Sequence, residues 1–67
     1  MGPNGKALAE RRVAKGRAIV TRQHELIARI RALDANTEEA VKLLDLLKRT
    51  LKLFEDDLAA INRDGAG

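Results

Sequence analysis

The sequence contains no cysteine, tryptophan or tyrosine, and it has one histidine, one phenylalanine and one proline among its 67 residues. The absence of cysteine excludes disulfide bonds and thiolate metal sites. A single histidine cannot hold zinc by itself, so we expect neither a metal nor a cofactor. Chains this short seldom build a sufficient core alone. With disulfides and metals excluded, oligomerisation is the remaining way to gain stability.

Long hydrophobic runs are also missing. No uncharged stretch approaches the length of a membrane-spanning helix, and the N-terminal sequence MGPNGK lacks the apolar segment of a signal peptide. These absences predict a cytoplasmic protein that does not bind membranes. The frequent alanine and arginine suggest a GC-rich bacterial genome.

The residues that are present are those of amphipathic helices. Apolar residues, almost all Ala, Leu, Ile and Val, make up 45% of the chain, and charged residues make up 34%. This mixture is typical of helices that bury one face, and it is too apolar for a disordered chain. We therefore predict an all-α protein.

Two helical patterns lie between short glycine-containing tails. The tails are residues 1–5, predicted to be flexible, and residues 64–67, predicted to fray. Helix 1 is expected over about residues 6–33, with apolar residues at three- and four-residue spacings, and helix 2 over about residues 37–63. The helix 2 pattern steps by four and three residues without error, which strongly indicates a heptad seam. Its members are Ala40, Leu44, Leu47, Leu51, Phe54, Leu58 and Ile61.

The break between the two patterns is LDANTEE. Asn36 followed by Glu39 is typical of a capping box, and Thr37 as N-cap with Glu38 and Glu39 in the first turn is equally plausible. Either way the connection is about four residues long. A connection this short makes the helices antiparallel neighbours, so we predict a two-helix hairpin.

Each helix carries more apolar surface than one partner helix covers. Beside its seam helix 2 has further leucines, and helix 1 has Val13, Val20 and Ile27 beside a stripe that includes Ile19, Leu26 and Leu33. Burying each such side chain contributes roughly 1.5–3 kcal/mol. We therefore predict a homodimer with two-fold symmetry, a four-helix bundle. The expected dimer interface is Val13, Gly16, Val20, Gln23, Ile27, Leu43, Leu46 and Leu53. A monomeric hairpin and an unidentified protein partner on the same surface are the alternatives.

Charge agrees with an antiparallel hairpin. Helix 1 has eight basic and two acidic residues, and helix 2, to residue 63, has five basic and six acidic ones. The antiparallel arrangement brings the basic residues at 11–17 near the acidic residues at 55–57. It also brings Arg29 and Arg31 near Glu38 and Glu39. Each exposed pair contributes little, about 0–1 kcal/mol, but the pattern favours this pairing.

Two residues in helix 1 are unusual for a helix interior. Gln23 lies within the apolar stripe, where a buried amide can fix register and oligomeric state or contact a ligand. In a dimer it could bond its own symmetry mate. Gly16 costs about 1 kcal/mol against alanine, which close approach of another helix, or a local bend, would explain.

No catalytic residue is expected. His24 lies at the edge of the stripe, and Glu25 points nearly 100° away from it, so no carboxylate orients the imidazole. Thr21 and Thr50 have no evident base to activate them. We therefore do not expect an enzyme.

Four basic residues of helix 1 form a row opposite the apolar stripe: Arg11, Lys15, Arg22 and Arg29. The row is the best evidence for nucleic-acid binding. Against it, the net charge is only +3, no aromatic residue is available to stack on bases, and no DNA-binding motif is recognisable. A weak nucleic-acid-binding regulator is thus the alternative to a small self-associating interaction or regulatory protein.

The segments VAKGRAIVTRQHELIARI and TEEAVKLLDLLKRTLKLFEDDL, within residues 13–58, resemble small uncharacterised proteins of rhizobia and related alphaproteobacteria. Those chains open with Val-Ala-x-Gly, carry Gln before a Leu-Ile-Ala-Arg-Leu-like run, and place Thr at the start of the second helix. This chain has LDANT where a glycine-containing break is expected, so its loop is expected to be more helical. The resemblance implies a helical hairpin from the bacterial cytoplasm and brings no established activity.

Overall fold

The computed structural model describes residues 3–66 and consists there of two α-helices. Helix α1 spans Pro3–Ala32 and helix α2 spans Glu38–Ala66. They pack against each other along their length as an antiparallel hairpin 51 Å long. The predicted all-α hairpin is confirmed.

Both helices extend further than the sequence pattern indicates. Helix α1 begins at Pro3 instead of about residue 6, because proline at the first helical position loses no hydrogen bond and already has the helical φ angle. Helix α2 continues past the predicted end at residue 63, through Gly65. Glycine weakens a helix by about 1 kcal/mol but does not end it. Residues 1, 2 and 67 of the predicted tails lie outside the described residues.

Helix α1 ends in a Schellman motif. Asp34 has a φ angle of 58°, in the left-handed region that glycine usually occupies at this position. The Asp34 amide donates to the Arg31 carbonyl over 2.9 Å, and the Ala35 amide donates to the Ile30 carbonyl over 3.1 Å. The chain therefore reverses direction here without a glycine, and the break is a defined turn and not an extended loop.

Thr37 is the N-cap of α2, because its carbonyl oxygen accepts the first helical hydrogen bond from the Val41 amide over 2.9 Å. The Asn36 side-chain oxygen accepts a hydrogen bond of 2.8 Å from the Glu38 amide and not from Glu39, so the alternative prediction of a capping box is wrong. Glu38 and Glu39 occupy the first turn, where the helix dipole favours acidic side chains. Together these contacts fix where α2 begins.

The contact between the helices uses two matched heptad seams. In α2 every predicted seam residue from Ala40 to Ile61 is half-buried, and so are Thr50, Glu55 and Ala60. In α1 the seam differs from the predicted stripe, because Ile19, Leu26 and Leu33 are exposed. The covered α1 positions step by four and three residues. They are Ala9, Val13, Gly16, Val20, Gln23, Ile27 and Ile30.

Side-chain size explains which line of α1 faces α2. Over residues 9–20 the α1 seam contains alanine, glycine and valine, with Gln23, Ile27 and Ile30 nearer the turn, whereas the α2 seam contains four leucines and a phenylalanine. At Gly16 an added Cβ atom would lie 3.0 Å from Leu51 Cδ1 and 3.8 Å from Phe54 Cδ2. The small residues of α1 thus admit the large residues of α2, and the predicted close approach at Gly16 is confirmed.

The hairpin has a thin core. Ala9, Val13 and Ile27 are the buried apolar side chains of the described residues, and no large side chain among them is fully buried. Every seam leucine of α2 stays partly exposed. Much apolar surface therefore remains in contact with water, as the excess of apolar residues predicts.

We predict that Asp34→Gly raises the free energy of unfolding by about 0.5–1 kcal/mol, because glycine adopts the left-handed conformation without steric cost. Asp34→Val should lower it, since a β-branched residue is strained at this φ angle. Urea unfolding followed by circular dichroism measures both. A destabilised Asp34→Gly variant would show that the carboxylate, and not the backbone, governs this turn.

Candidate interaction surface

Seven of the eight large exposed apolar side chains fall on one side of each helix. They have 37% to 80% of their surface exposed. On α1 they recur after eleven and seven residues, and Leu33 follows seven residues later just past the end of the helix, which keeps all four within about 40° of a single line. On α2 they lie beside the seam. We name this set the apolar face, and its members are Leu8, Ile19, Leu26, Leu33, Leu43, Leu46 and Leu53.

The two helices present these side chains on the same side of the hairpin. Arg12 lies within about 40° of the apolar line of α1, and Asp57 lies within about 40° of Leu46 and Leu53 on α2. Arg12 and Asp57 line one cleft between the helices. Arg12 and Asp57 therefore lie on the same side of the hairpin, and the apolar lines next to them form one continuous face.

The opposite side of the hairpin is polar. Arg17 donates from Nε and Nη2 to Glu55 Oε2 over 3.3 and 3.2 Å, linking the two helices there. His24 lies exposed on the same side, at a helical position one heptad from Arg17. Val41 is the one large exposed apolar side chain found there among the described residues. The exposed apolar surface is therefore one-sided, which distinguishes it from randomly scattered leucines.

The residues predicted to form a dimer interface divide into two groups. The α2 residues Leu43, Leu46 and Leu53 are exposed on the apolar face. The α1 residues instead lie in the seam of their own chain, where α2 covers them, so they present little surface to a second copy. They are Val13, Gly16, Val20, Gln23 and Ile27. On α1 the surface open to a second copy is the line through Leu8, Ile19 and Leu26.

Gln23 is satisfied within one chain. Its side chain is 8% exposed, and Nε2 donates a hydrogen bond of 2.8 Å to the carbonyl oxygen of Ala40. The bond joins the middle of α1 to the first turns of α2, so it fixes how far the helices slide along each other. It replaces the predicted bond to a symmetry mate. No fully buried side-chain nitrogen or oxygen of the described residues lacks a hydrogen-bond partner.

The basic row borders the apolar face, so the prediction that it lies opposite the stripe of Ile19 and Leu26 is wrong. Its side chains lie within about 20–60° of the apolar line of α1. All four are exposed, and none forms an ion pair among the side chains that the structure describes. The row consists of Arg11, Lys15, Arg22 and Arg29.

Most predicted ion pairs between the helices do not form. Arg17 is the basic residue of α1 that reaches the acidic cluster of α2, through Glu55. Glu38 and Glu39 contact Lys42 of their own helix, at 3.5 and 3.9 Å, and not the arginines of α1. The reason is local: residues three and four apart on one helix are closer than residues on neighbouring helices.

The residues considered for chemistry, Thr21, His24 and Thr50, form no hydrogen bond with one another. Thr50 Oγ1 donates to the Leu46 carbonyl over 3.1 Å in its own helix, and Thr21 and His24 are exposed on α1. In the described part of the chain no three histidine, aspartate or glutamate side chains cluster as a metal site would require. Neither described helix has a stretch long and apolar enough to cross a membrane.

Comparisons with known proteins add no further constraint. No protein-family model, no curated protein and no solved structure matches this chain. The resemblance to helical-hairpin proteins of rhizobia stays a prediction from the residues.

We predict that Gln23→Glu lowers the free energy of unfolding by about 1–3 kcal/mol near neutral pH, because a buried carboxylate would face the Ala40 carbonyl with no donor between them. Gln23→Leu keeps the size and removes the polar group, so its stability should match or exceed that of the parent chain. Urea unfolding of both variants makes the comparison. Equal losses in the two variants would mean that the lost Nε2 donor, and not the buried charge, governs this position.

Proposed function

We propose that this protein is a small non-enzymatic interaction or regulatory protein that acts by self-association in the bacterial cytoplasm. The observation that carries the proposal is the apolar face, which places seven large apolar side chains on one side of a hairpin with a thin core. Exposed patches of this kind mark interaction sites in soluble proteins.

The energetics favour covering the face. Complete burial of a leucine or isoleucine contributes roughly 1.5–3 kcal/mol, and these side chains are about half exposed. Each therefore contributes about 1 kcal/mol when a partner covers it, and a symmetric dimer counts each residue twice. The total is of the same order as the cost of association, about 4–15 kcal/mol.

A second copy is the occupant that the composition of the face supports. Ile19, Leu26 and Leu46 belong to the apolar part of the face, and Lys15 and Arg22 lie within about 20–40° of its α1 line, along the outer edge. An apolar strip edged by charged residues is typical of a protein interface. Two hairpins stacked through this face place four helices around a common core, which is the smallest arrangement in which every helix buries a wide stripe.

We predict that Leu46→Glu combined with Leu53→Glu abolishes self-association, because four carboxylates would enter the apolar core of each dimer. The matched control is Val41→Glu, which places a carboxylate on the polar side of α2 and should leave the molar mass unchanged. Light scattering across a hundredfold range of concentration measures the mass. A double variant that keeps the parent's dimer mass would contradict the assigned face.

The basic row favours one alternative function, weak binding of nucleic acid. Its four side chains are exposed and lack ion-pair partners among the described residues. Dimerisation would double their number. Such binding would be independent of sequence and sensitive to salt, because it would rest on contacts with phosphates.

We predict that fluorescence anisotropy detects no binding to labelled duplex DNA at micromolar protein and physiological salt. The titration is repeated at low salt, where phosphate contacts are strongest. Binding that weakens steeply with salt, and that is lost in Arg22→Gln combined with Arg29→Gln, would support the alternative function instead.

A further inference from the structure

We infer that two copies dock in the same direction, with both turns at one end and α1 of each copy against α2 of its partner. This inference rests on the proposed self-association and specifies its geometry. Two hairpins stacked face to face have two symmetric choices. The two-fold axis runs either along the hairpin, which brings the turns together, or across it, which places α1 against α1 and the turns at opposite ends.

Charge disfavours the axis across the hairpin. Helix α1 carries eight basic and two acidic residues, and its basic row borders the apolar face. An axis across the middle of the face would place Arg22 beside the partner's Arg22, and Lys15 beside the partner's Arg29. Like charges brought together at an interface cost free energy and suppress that arrangement.

Charge favours the axis along the hairpin. Gly16 lies level with Leu51, and both helices rise equally per residue, so Arg11 lies level with Asp56 and Arg29 with Glu38. A two-fold axis along the hairpin leaves each residue of the partner at the same height along that axis as in the first copy. The basic row of each copy then lies against α2 of the partner, which has five basic and seven acidic residues. This places Arg29 near the partner's Glu38 and Arg11 near the partner's Asp56.

A cleft at the open end gives an independent argument. It has a volume of about 290 Å³, and most of its lining is apolar. The lining consists of Gly5, Ala9, Arg12, Phe54, Asp57, Ala60 and Ile61. Leu8 lies on α1 at the height of this cleft, which residues of both helices line. Only the axis along the hairpin places the partner's Leu8 over the cleft, and the axis across it moves that side chain towards the turn.

Leu8→Ala should therefore raise the dissociation constant of the dimer about tenfold, because each interface loses two partly buried leucine side chains. Val41→Ala is the matched control on the polar side and should leave the constant unchanged. Sedimentation equilibrium measures both. An unchanged constant for Leu8→Ala would overturn the assignment of Leu8 to the cleft.

The direction of docking is measured directly with spin labels, since the chain has no cysteine of its own. Ala35→Cys places a label at the turn, and Asn62→Cys places one near the open end; both positions are exposed. Helices in a bundle lie 8–10 Å apart. The proposed geometry therefore predicts label distances within about 25 Å for the Ala35→Cys dimer and for the Asn62→Cys dimer. In mixed dimers of the two variants the distance should be about 40 Å, because the two positions are separated along the hairpin by the rise of about 27 helical residues.

The outcomes separate the two proposals. Dimers with short distances between like labels support the same-direction geometry. Dimers in which like labels are far apart and mixed labels are close overturn the geometry and leave self-association intact. A chain that stays monomeric at the concentrations of the labelling experiment overturns self-association itself, and the geometry with it.

Discussion

Two helices can bury only the strip of side chains that lies between them, and this limit determines the rest of the structure. Over residues 9–20 the strip is narrow, because α1 contributes alanine, glycine and valine to it while α2 contributes leucine and phenylalanine. Close approach at Gly16 lets the two backbones come together there. Leu8 and Ile19 lie outside this part of the seam and contribute to the apolar face.

The sequence predicts the parts of this fold in which one solution fits the pattern. The seam of α2 repeats without interruption, Asn36 and Thr37 mark the start of that helix, and the short break requires an antiparallel hairpin. Helix α1 is ambiguous, because two apolar lines about 90° apart both satisfy helical spacing. Hydrophobicity favours the line with Ile19 and Leu26, whereas packing against large leucines favours the line with smaller residues. Spacing alone carries no information about that fit. The α1 residues predicted for the dimer interface therefore lie in the seam, and the residues of the predicted stripe, such as Ile19 and Leu26, lie on the surface.

Polar contacts give the hairpin its register more than its stability. The hydrogen bond from Gln23 to the Ala40 carbonyl is covered, whereas the ion pair of Arg17 and Glu55 is exposed to solvent. An exposed pair contributes about 0–1 kcal/mol, and a covered hydrogen bond about 0.5–1.5 kcal/mol. Both contacts act between helices whose heptad seams would otherwise tolerate a shift of seven residues. Gln23 of α1 thus restrains the sliding of the two helices along each other.

The incomplete cover over the leucines of α2 gives the proposed self-association a consequence for abundance. Under that proposal the hairpin would gain stability by mass action, so dilution would act on it as a mild denaturant. Chains at low copy number would open often and be accessible to proteases, whereas assembled ones would be protected. The level of the protein would then be governed by assembly as well as by synthesis, and it would rise more steeply than gene dosage.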